Sequence, residues 1–174
     1  MAKRDRDWFR KMAPKGFRIR MMEPGEAPAL QAIRDRAAGG NGPAAETQPI
    51  GDFVLWLLQH EVFVAEMKAG EPVGFAAAGD LGELYWLAGL YVLPEHRGHG
   101  IGRALTAAVV ARAGWFFHRA LGLSTAPETA SFFERSGFVA ILPQDFPPII
   151  FRKVKEECPD GIALSDRAVL VKWL

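Results

Sequence analysis

Residues 90 to 103 read Leu90-Tyr91-Val92-Leu93-Pro94-Glu95-His96-Arg97-Gly98-His99-Gly100-Ile101-Gly102-Arg103, and this stretch decides the fold. Just upstream, Leu84 to Leu93 is nearly all apolar and aromatic, the pattern of a central strand covered on both faces. Downstream, from Gly100 to about His118, Ile101, Leu105, Ala108, Val109 and Phe116 fall on one helical stripe. Leu121 to Thr125 then reads as a second strand, so strand, helix and strand together predict a βαβ crossover with parallel pairing. Gly89 sits inside the first of these strands, where glycine marks a bulge or the close approach of another backbone.

The turn between strand and helix carries the chemistry. Gly98, Gly100 and Gly102 remove side chains where a backbone wraps a ligand, while the orphan N–H groups and positive dipole end of the helix face the same space. Such a site suits a phosphate or pyrophosphate, and Arg97 and Arg103 are placed to add charge-assisted hydrogen bonds. A P-loop needs Gly-Lys-Ser/Thr at its end, which is missing. A dinucleotide fingerprint needs Gly-x-Gly-x-x-Gly, whereas Gly98, Gly100 and Gly102 are followed by Arg103. The glycine spacing therefore argues against ATP- and NAD-type folds.

Working outward, Phe17, Ile19 and Met21 alternate with Arg18 and Arg20, as a half-buried first strand does. Pro24 opens a helix striped by Leu30, Ile33 and Ala37, and Gly39-Gly40-Asn41-Gly42-Pro43 ends it. Asp52 to about Gln59 predicts a second, largely buried helix with Asp52 as its N-cap. Val62 to Met67 and Val73 to Ala78, separated by Lys68-Ala69-Gly70-Glu71-Pro72, predict an antiparallel hairpin. Beyond the crossover come a helix from Glu128 to Arg135 stopped at Ser136-Gly137, a strand from Phe138 to Leu142, a long excursion from Pro143 to Asp166, and a closing strand from Arg167 to Trp173.

Composition bounds what such a chain does. Its 174 residues, 49% hydrophobic and 24% charged, suffice for one domain with a sizeable core and exclude a disordered chain, a coiled coil or a disulfide-stapled miniprotein. One cysteine, Cys158, permits no internal disulfide and points to a reducing, cytoplasmic setting. A net charge of +1 argues against a nucleic-acid partner. Residues 1 to 20 nevertheless hold eight Lys and Arg against Asp5 and Asp7, so residues 1–16 read as a flexible basic arm ahead of a single domain over 17–174. The arm lacks serine and carries acids, unlike a transit peptide, and the longest apolar runs fall short of the ~20 residues that span a bilayer, so no membrane partner is expected. No His, Cys or Asp spacing resembles a metal site, and no metal is expected.

The pattern Arg-x-x-Gly-x-Gly, here Arg97, Gly100 and Gly102, resembles the acetyl-coenzyme A signature of the GNAT superfamily of N-acetyltransferases. Leu90-Tyr91-Val92 looks like the end of that family's fourth strand, and Ala130-Ser131-Phe132-Phe133-Glu134-Arg135-Ser136-Gly137-Phe138 looks like its second conserved block. The order of elements from about Phe17 to Trp173 matches too. The resemblance implies an α/β fold, α+β by some schemes: a mixed, mostly antiparallel central sheet with a splayed parallel strand pair, flanked by helices. It also implies acetyl-CoA as cosubstrate, its pantetheine arm paired to the backbone of Leu90 and Val92 and its pyrophosphate on amides from Gly98 to Arg103. The cofactor-binding set is then Leu90, Tyr91, Val92, Arg97, Gly98, His99, Gly100, Ile101, Gly102, Arg103 and Phe133. Acceptor recognition falls to Gly39–Gly51 and Pro143–Asp166, and the tail from Gly161 to Arg167 looks like that of small bacterial members. Dimerisation through the sheet or the final strands is common in the superfamily.

Acetyl transfer to a primary amine of a small molecule or peptide needs a neutral amine, a polarised thioester carbonyl and a stabilised thiolate. Glu83 is the candidate base by analogy with an acidic residue of relatives, and equally reads as a solvated turn residue. Tyr85 and Tyr91 are candidate orienting or proton-donating groups, Tyr91 the one placed in the catalytic set, and each also reads as strand packing. A backbone N–H at or near Leu90 serves the carbonyl. Where relatives often carry a tyrosine that reaches the thiolate, this sequence has Phe133, which packs but donates no proton. Ser124, Thr125 or water stand in, or the thiolate leaves unaided, since a thiol pKa near ~8.5 makes a tolerable leaving group. A non-catalytic acyl-CoA-binding or sensor module is the alternative, motivated by Phe133.

Overall fold

A computed structural model describes residues 11–38, 49–82, 84–158 and 163–174. Among them the chain forms a seven-stranded sheet from β1 (Phe17–Met21), β2 (Glu61–Met67), β3 (Pro72–Asp80), β4 (Leu84–Val92), β5 (Ala120–Thr125), β6 (Val139–Ile141) and β7 (Ala168–Trp173). The order is β1-β2-β3-β4-β5-β7-β6. The pairs β1/β2, β2/β3, β5/β7 and β6/β7 are antiparallel, and β4/β5 is parallel, as the crossover predicts. The mixed α/β architecture implied by the resemblance is the one observed. No helix among the described residues is long and apolar enough to cross a membrane. The chain divides into two compact units, Met1–Gly79 with Gly89–Arg112, and Asp80–Ala88 with Ala113–Leu174.

In the first unit, β2 and β3 supply a core buried on both faces, including Val62, Phe63, Val64, Val73 and Phe75. Each such side chain contributes about 1.5–3 kcal/mol on full burial. Their hairpin turns at Gly70, whose φ of +93° is the left-handed region that glycine adopts without strain. Helix α1 (Ala27–Ala38) buries Leu30 and Ile33, and begins three residues after Pro24 because Gly25, at φ +88°, still belongs to the turn. Helix α2 (Ile50–Leu58) starts behind Pro49, which places Asp52 in the first turn and not at the cap. Only one face of α2 is buried: Phe53 and Leu57 lie four residues apart, while Leu55 and Leu58 fall on the far side, 60% and 72% exposed. The expectation of a largely buried helix is corrected accordingly.

Helix α3 (Ile101–Trp115) buries Ile101, Leu105, Ala108 and Val109, as the stripe predicts. It ends before Phe116, which is exposed, because Phe117 takes a φ of +60° and breaks the helix.

The second unit has its own core, in which Leu84, Trp86, Ala120, Val169 and Val171 of the sheet pack with Ile150 and Val154. The last two belong to helix α5 (Pro148–Glu157), which lies inside the stretch read from sequence as an excursion. Proline density hid it, although Pro148 occupies the first helical turn, where the missing N–H costs nothing. Gly122 on β5 carries the Trp86 indole, whose nearest carbon is 2.8 Å from where a Cβ would stand. The helix expected from Glu128 is a 3-10 turn (Pro127–Thr129) followed by α4 (Ala130–Glu134), and Gly137 at φ +83° stops it.

Candidate functional site

The site is built at the end of β4. Parallel pairing with β5 covers Leu84 to Leu87 only, while β4 runs on to Val92. Leu93 is buried and its N–H donates to Val73 O at 2.9 Å, so the strand stays tied to β3 where the turn begins. A 3-10 turn (Pro94–His96) then reverses the chain, with Arg97 N–H donating to Pro94 O at 3.2 Å.

Gly98 and Gly100 follow, at φ +80° and +81°. Glycine adopts this left-handed region without strain, and such turns are where backbone N–H groups can form anion-binding nests. The next backbone bond runs from Ala104 N–H to Gly100 O at 3.0 Å, which makes Gly100 the residue that opens α3. Among the described residues, the N–H groups of Gly98, His99, Gly100, Ile101, Gly102 and Arg103 have no backbone acceptor. Gly98, His99 and Gly100 are exposed, Gly102 half-buried. An unpartnered row of N–H groups at the positive end of a 15-residue helix fits an anion such as a pyrophosphate.

Side chains brace this loop more than they extend from it. Arg97 donates through Nη2 to Ala37 O at 2.8 Å and through Nε to Val92 O at 3.3 Å, tying the loop to the end of α1 and the end of β4. Arg36 holds Glu95 at 2.6 Å. Glu95 lies below the usual carboxylate range, first because its own backbone N–H donates to it and then because of Arg36. His99 folds its Nδ1 onto Arg97 O at 3.0 Å and His96 O at 3.2 Å, so Nδ1 carries the proton and donates. Phe17 touches the rings of His96 and His99, and Pro14 lies 3.7 Å from the Cβ position of Gly100. Pro14, in the stretch read as a basic arm, therefore lies beside the loop, whereas residues 1–10 lie outside the described residues. Arg103 is exposed on the first turn of α3.

At the other end of the same strand segment, Gly89 is walled in. A Cβ there would stand 2.7 Å from the Tyr91 ring and 3.2 Å from the Trp56 indole, a close approach by side chains where the sequence suggested a bulge or the approach of another backbone. Tyr91 in turn rests on Phe75, with ring centroids 5.0 Å apart. Tyr85, the other tyrosine of β4, is buried and stacks on His118 at 5.0 Å. His118 Nδ1 donates to Gly82 O at 3.1 Å, which fixes its tautomer. Glu83, the candidate base, lies outside the described residues.

Phe133 on α4 belongs to the second unit. It is 4% exposed and packs edge-on against Phe132 and Phe138. Ser124 accepts a hydrogen bond from Arg167 Nε at 3.0 Å. Two carboxylates, Glu66 buried and Glu157 half-buried, escaped the sequence reading. Glu66 is 1% exposed and takes hydrogen bonds from Arg18 and from Arg20 Nε, the latter at 2.6 Å. Burial pushes its pKa up, but the guanidiniums of Arg20 and Arg18 outweigh burial and hold it below the usual range. Glu157, at the end of α5, accepts from Trp86 Nε1 at 2.9 and 3.0 Å and from Lys153 Nζ at 3.1 Å. There burial wins and raises the carboxyl above its usual range. Glu66 with Arg18 and Glu157 with Trp86 are far apart in sequence and leave no spacing signal.

The family model described as "Acetyltransferase (GNAT) domain" matches residues 59–140, which contain β2 to β5, the glycine loop and α3. Against curated protein sequences the chain has no significant match. Several solved structures share the fold. An acetyltransferase from Streptococcus agalactiae superposes with a TM-score of 0.68 at 18% identity, over 92% of this chain and 99% of that one. A ribosomal-protein-alanine N-acetyltransferase from Brucella melitensis gives 0.67 at 23% identity, over 90% and 99%. N-acetylglutamate synthase from Neisseria gonorrhoeae, complexed with coenzyme A and N-acetyl-glutamate, gives 0.69 at 19% identity, over 91% of this chain but 35% of that longer one.

Proposed function

We propose, from the premise that this chain carries a GNAT acetyltransferase domain, that it transfers the acetyl group of acetyl-CoA to a primary amine on a small molecule or a peptide. One observation carries the reading: the row of unpartnered N–H groups from Gly98 to Arg103, opened by two glycines at positive φ at the head of α3. Those donors bind the pyrophosphate, and Arg103 adds a screened positive charge. Arg97 acts through the loop, by holding it to Ala37 and Val92.

The polar backbone groups of Leu90 and Val92 pair with the amides of the cosubstrate's arm, as an added strand pairs with a sheet edge. The Leu90 N–H polarises the thioester carbonyl and stabilises the charge that develops on its oxygen. Glu83, directly or through water, removes a proton from the acceptor ammonium, and Tyr91 orients the amine. When bound, the thioester supplies an acetyl group whose leaving thiolate is tolerable at a pKa near ~8.5. No phenol assists that departure from position 133. The single cysteine, Cys158, has no partner histidine pattern in the sequence that would support a covalent acyl-enzyme, and direct transfer is the simpler route. We assign the enzyme to the reducing cytosol.

Isothermal titration with acetyl-CoA, against ATP and NAD as controls, tests the site. Saturable micromolar binding of acetyl-CoA alone supports the reading; no binding by folded protein overturns it. CoA release across an amine panel then separates the enzyme from a non-catalytic acyl-CoA sensor. That second reading draws on Phe133, buried and without a hydroxyl, and on Ser124, held by Arg167. Binding without turnover for every amine would favour it.

A further inference from the structure

With the pyrophosphate on Gly98–Arg103 and the arm paired back along Val92 and Leu90, the acyl group arrives at Gly89. This inference rests on the reading above. The surroundings of Gly89 are aromatic and tightly set. Its missing Cβ would stand 2.7 Å from the Tyr91 ring and 3.2 Å from the Trp56 indole, so those rings occupy the space that a side chain would fill.

Neither ring is placed to swing away. Trp56 stacks on Phe53, with centroids 5.7 Å apart and 16° between planes. His60 covers it at 4.7 Å and is tied to the same residue, its Nδ1 lying 2.7 Å from Trp56 O. Tyr91 rests on Phe75 at 5.0 Å. Phe53 and Phe75 are fully buried, so both rings stand on the core itself. Close-packed cores resist added methylenes because neighbours must leave their rotamer minima.

We propose that Trp56, seated against Gly89 beside Tyr91, is a specificity-determining residue that limits the acyl donor to a short chain. An acetyl group ends at this wall, whereas each further methylene runs into it. Discrimination by a hydrophobic wall amounts to about 10-fold or more for a misfit methylene. A hexanoyl group, four methylenes longer than acetyl, therefore meets a large penalty.

Because the readout is donor binding, the test needs no acceptor. Dissociation constants of CoA, acetyl-CoA, butyryl-CoA and hexanoyl-CoA are measured by calorimetry for the wild type and for Trp56→Ala, with circular dichroism confirming the fold. We expect the wild type to bind hexanoyl-CoA at least about 10-fold more weakly than acetyl-CoA, and Trp56→Ala to bring the two constants together. Trp56→Phe, which keeps an aromatic wall, serves if the alanine variant does not fold, and should bring them part of the way. Equal wild-type affinity for the two donors overturns the proposal, as does discrimination that is undiminished in a folded variant. Failure of CoA and all its thioesters to bind is a different result: it removes the acetyltransferase site, and the inference with it.

Discussion

The loop from Arg97 to Arg103 and the block from Ala130 to Phe138 both fall within residues 59–140, which the acetyltransferase family model matches, and they are built in opposite ways. In the loop the backbone is left open: among the described residues six N–H groups lack backbone acceptors beside two glycines at positive φ, and the Arg97 and His99 side chains brace the chain. In the block the side chains are already engaged. Phe133 is buried between Phe132 and Phe138, and Lys172 Nζ donates to Ser136 O at 2.6 Å behind Gly137. Donors left open at a surface are free for water or a ligand, whereas buried polar groups are already paired within the fold. Resemblance in sequence does not distinguish open groups from engaged ones; hydrogen-bond accounting does.

The largest expected effect breaks the packed side. Phe133→Ala removes a buried ring and should cost about 3–5 kcal/mol of stability, read from the midpoint of urea unfolding. A loss under about 1 kcal/mol would mean that the ring is not part of the core. On the loop side, Gly98→Asp places a carboxylate among the N–H groups. Nothing stands within 4 Å of the added Cβ, and Asp adopts the positive φ of +80° at a cost of about 1 kcal/mol. Acetyl-CoA affinity should fall by about 100-fold, equivalent to ~2.7 kcal/mol, in calorimetry. Gly98→Asn, with the same shape and no charge, should keep most of the affinity; equal losses in the two variants would assign the effect to strain.

The smallest effect sharpens the contrast through pH. Glu66 and Glu26 have folded pKa values below the usual carboxylate range, Glu66 through Arg20 and Arg18 acting against burial, Glu26 chiefly through its hydrogen bond with Arg20. Their stabilisation is complete above the unfolded value of about 4.3 and is lost as pH falls through the lower folded values. Glu157 has the opposite sign. Its folded pKa is raised, so its charge penalises the folded state above that pKa, and the penalty is relieved as pH falls toward about 4.3. Glu157→Gln should change stability at neutral pH by less than about 1 kcal/mol and flatten the rise on mild acidification, leaving the loss at lower pH intact. Denaturant midpoints measured across pH read both limbs. An unchanged pH profile in the variant would remove Glu157 from the account.

Much of the fold was legible because periodic burial writes itself into periodic sequence. β1 is found at Phe17–Met21 as its alternation predicts, and the hairpin of β2 and β3 and the parallel pair of β4 and β5 follow their apolar runs. Helix α5 was missed because its prolines resemble loop chemistry, and its stripe of Ile150 and Val154 is only two residues long. The extent of α2's exposed face was missed because a short run rich in Phe, Leu and Trp does not say which of them finds a partner.

By itself the sequence determined the glycine loop, since only glycine adopts φ near +80° without strain and its spacing is therefore a backbone instruction readable in one dimension. It determined, too, the order of strands and helices around that loop. The tertiary structure alone decided that Trp56 stands against Gly89, that Arg97 reaches Ala37, and that Glu66 and Glu157 sit in opposite electrostatic settings. These are meetings of residues 33, 60, 48 and 71 positions apart, Glu66 with Arg18 and Glu157 with Trp86 being the last two. Local propensity holds no information about them; they exist only where packing brings distant side chains within reach.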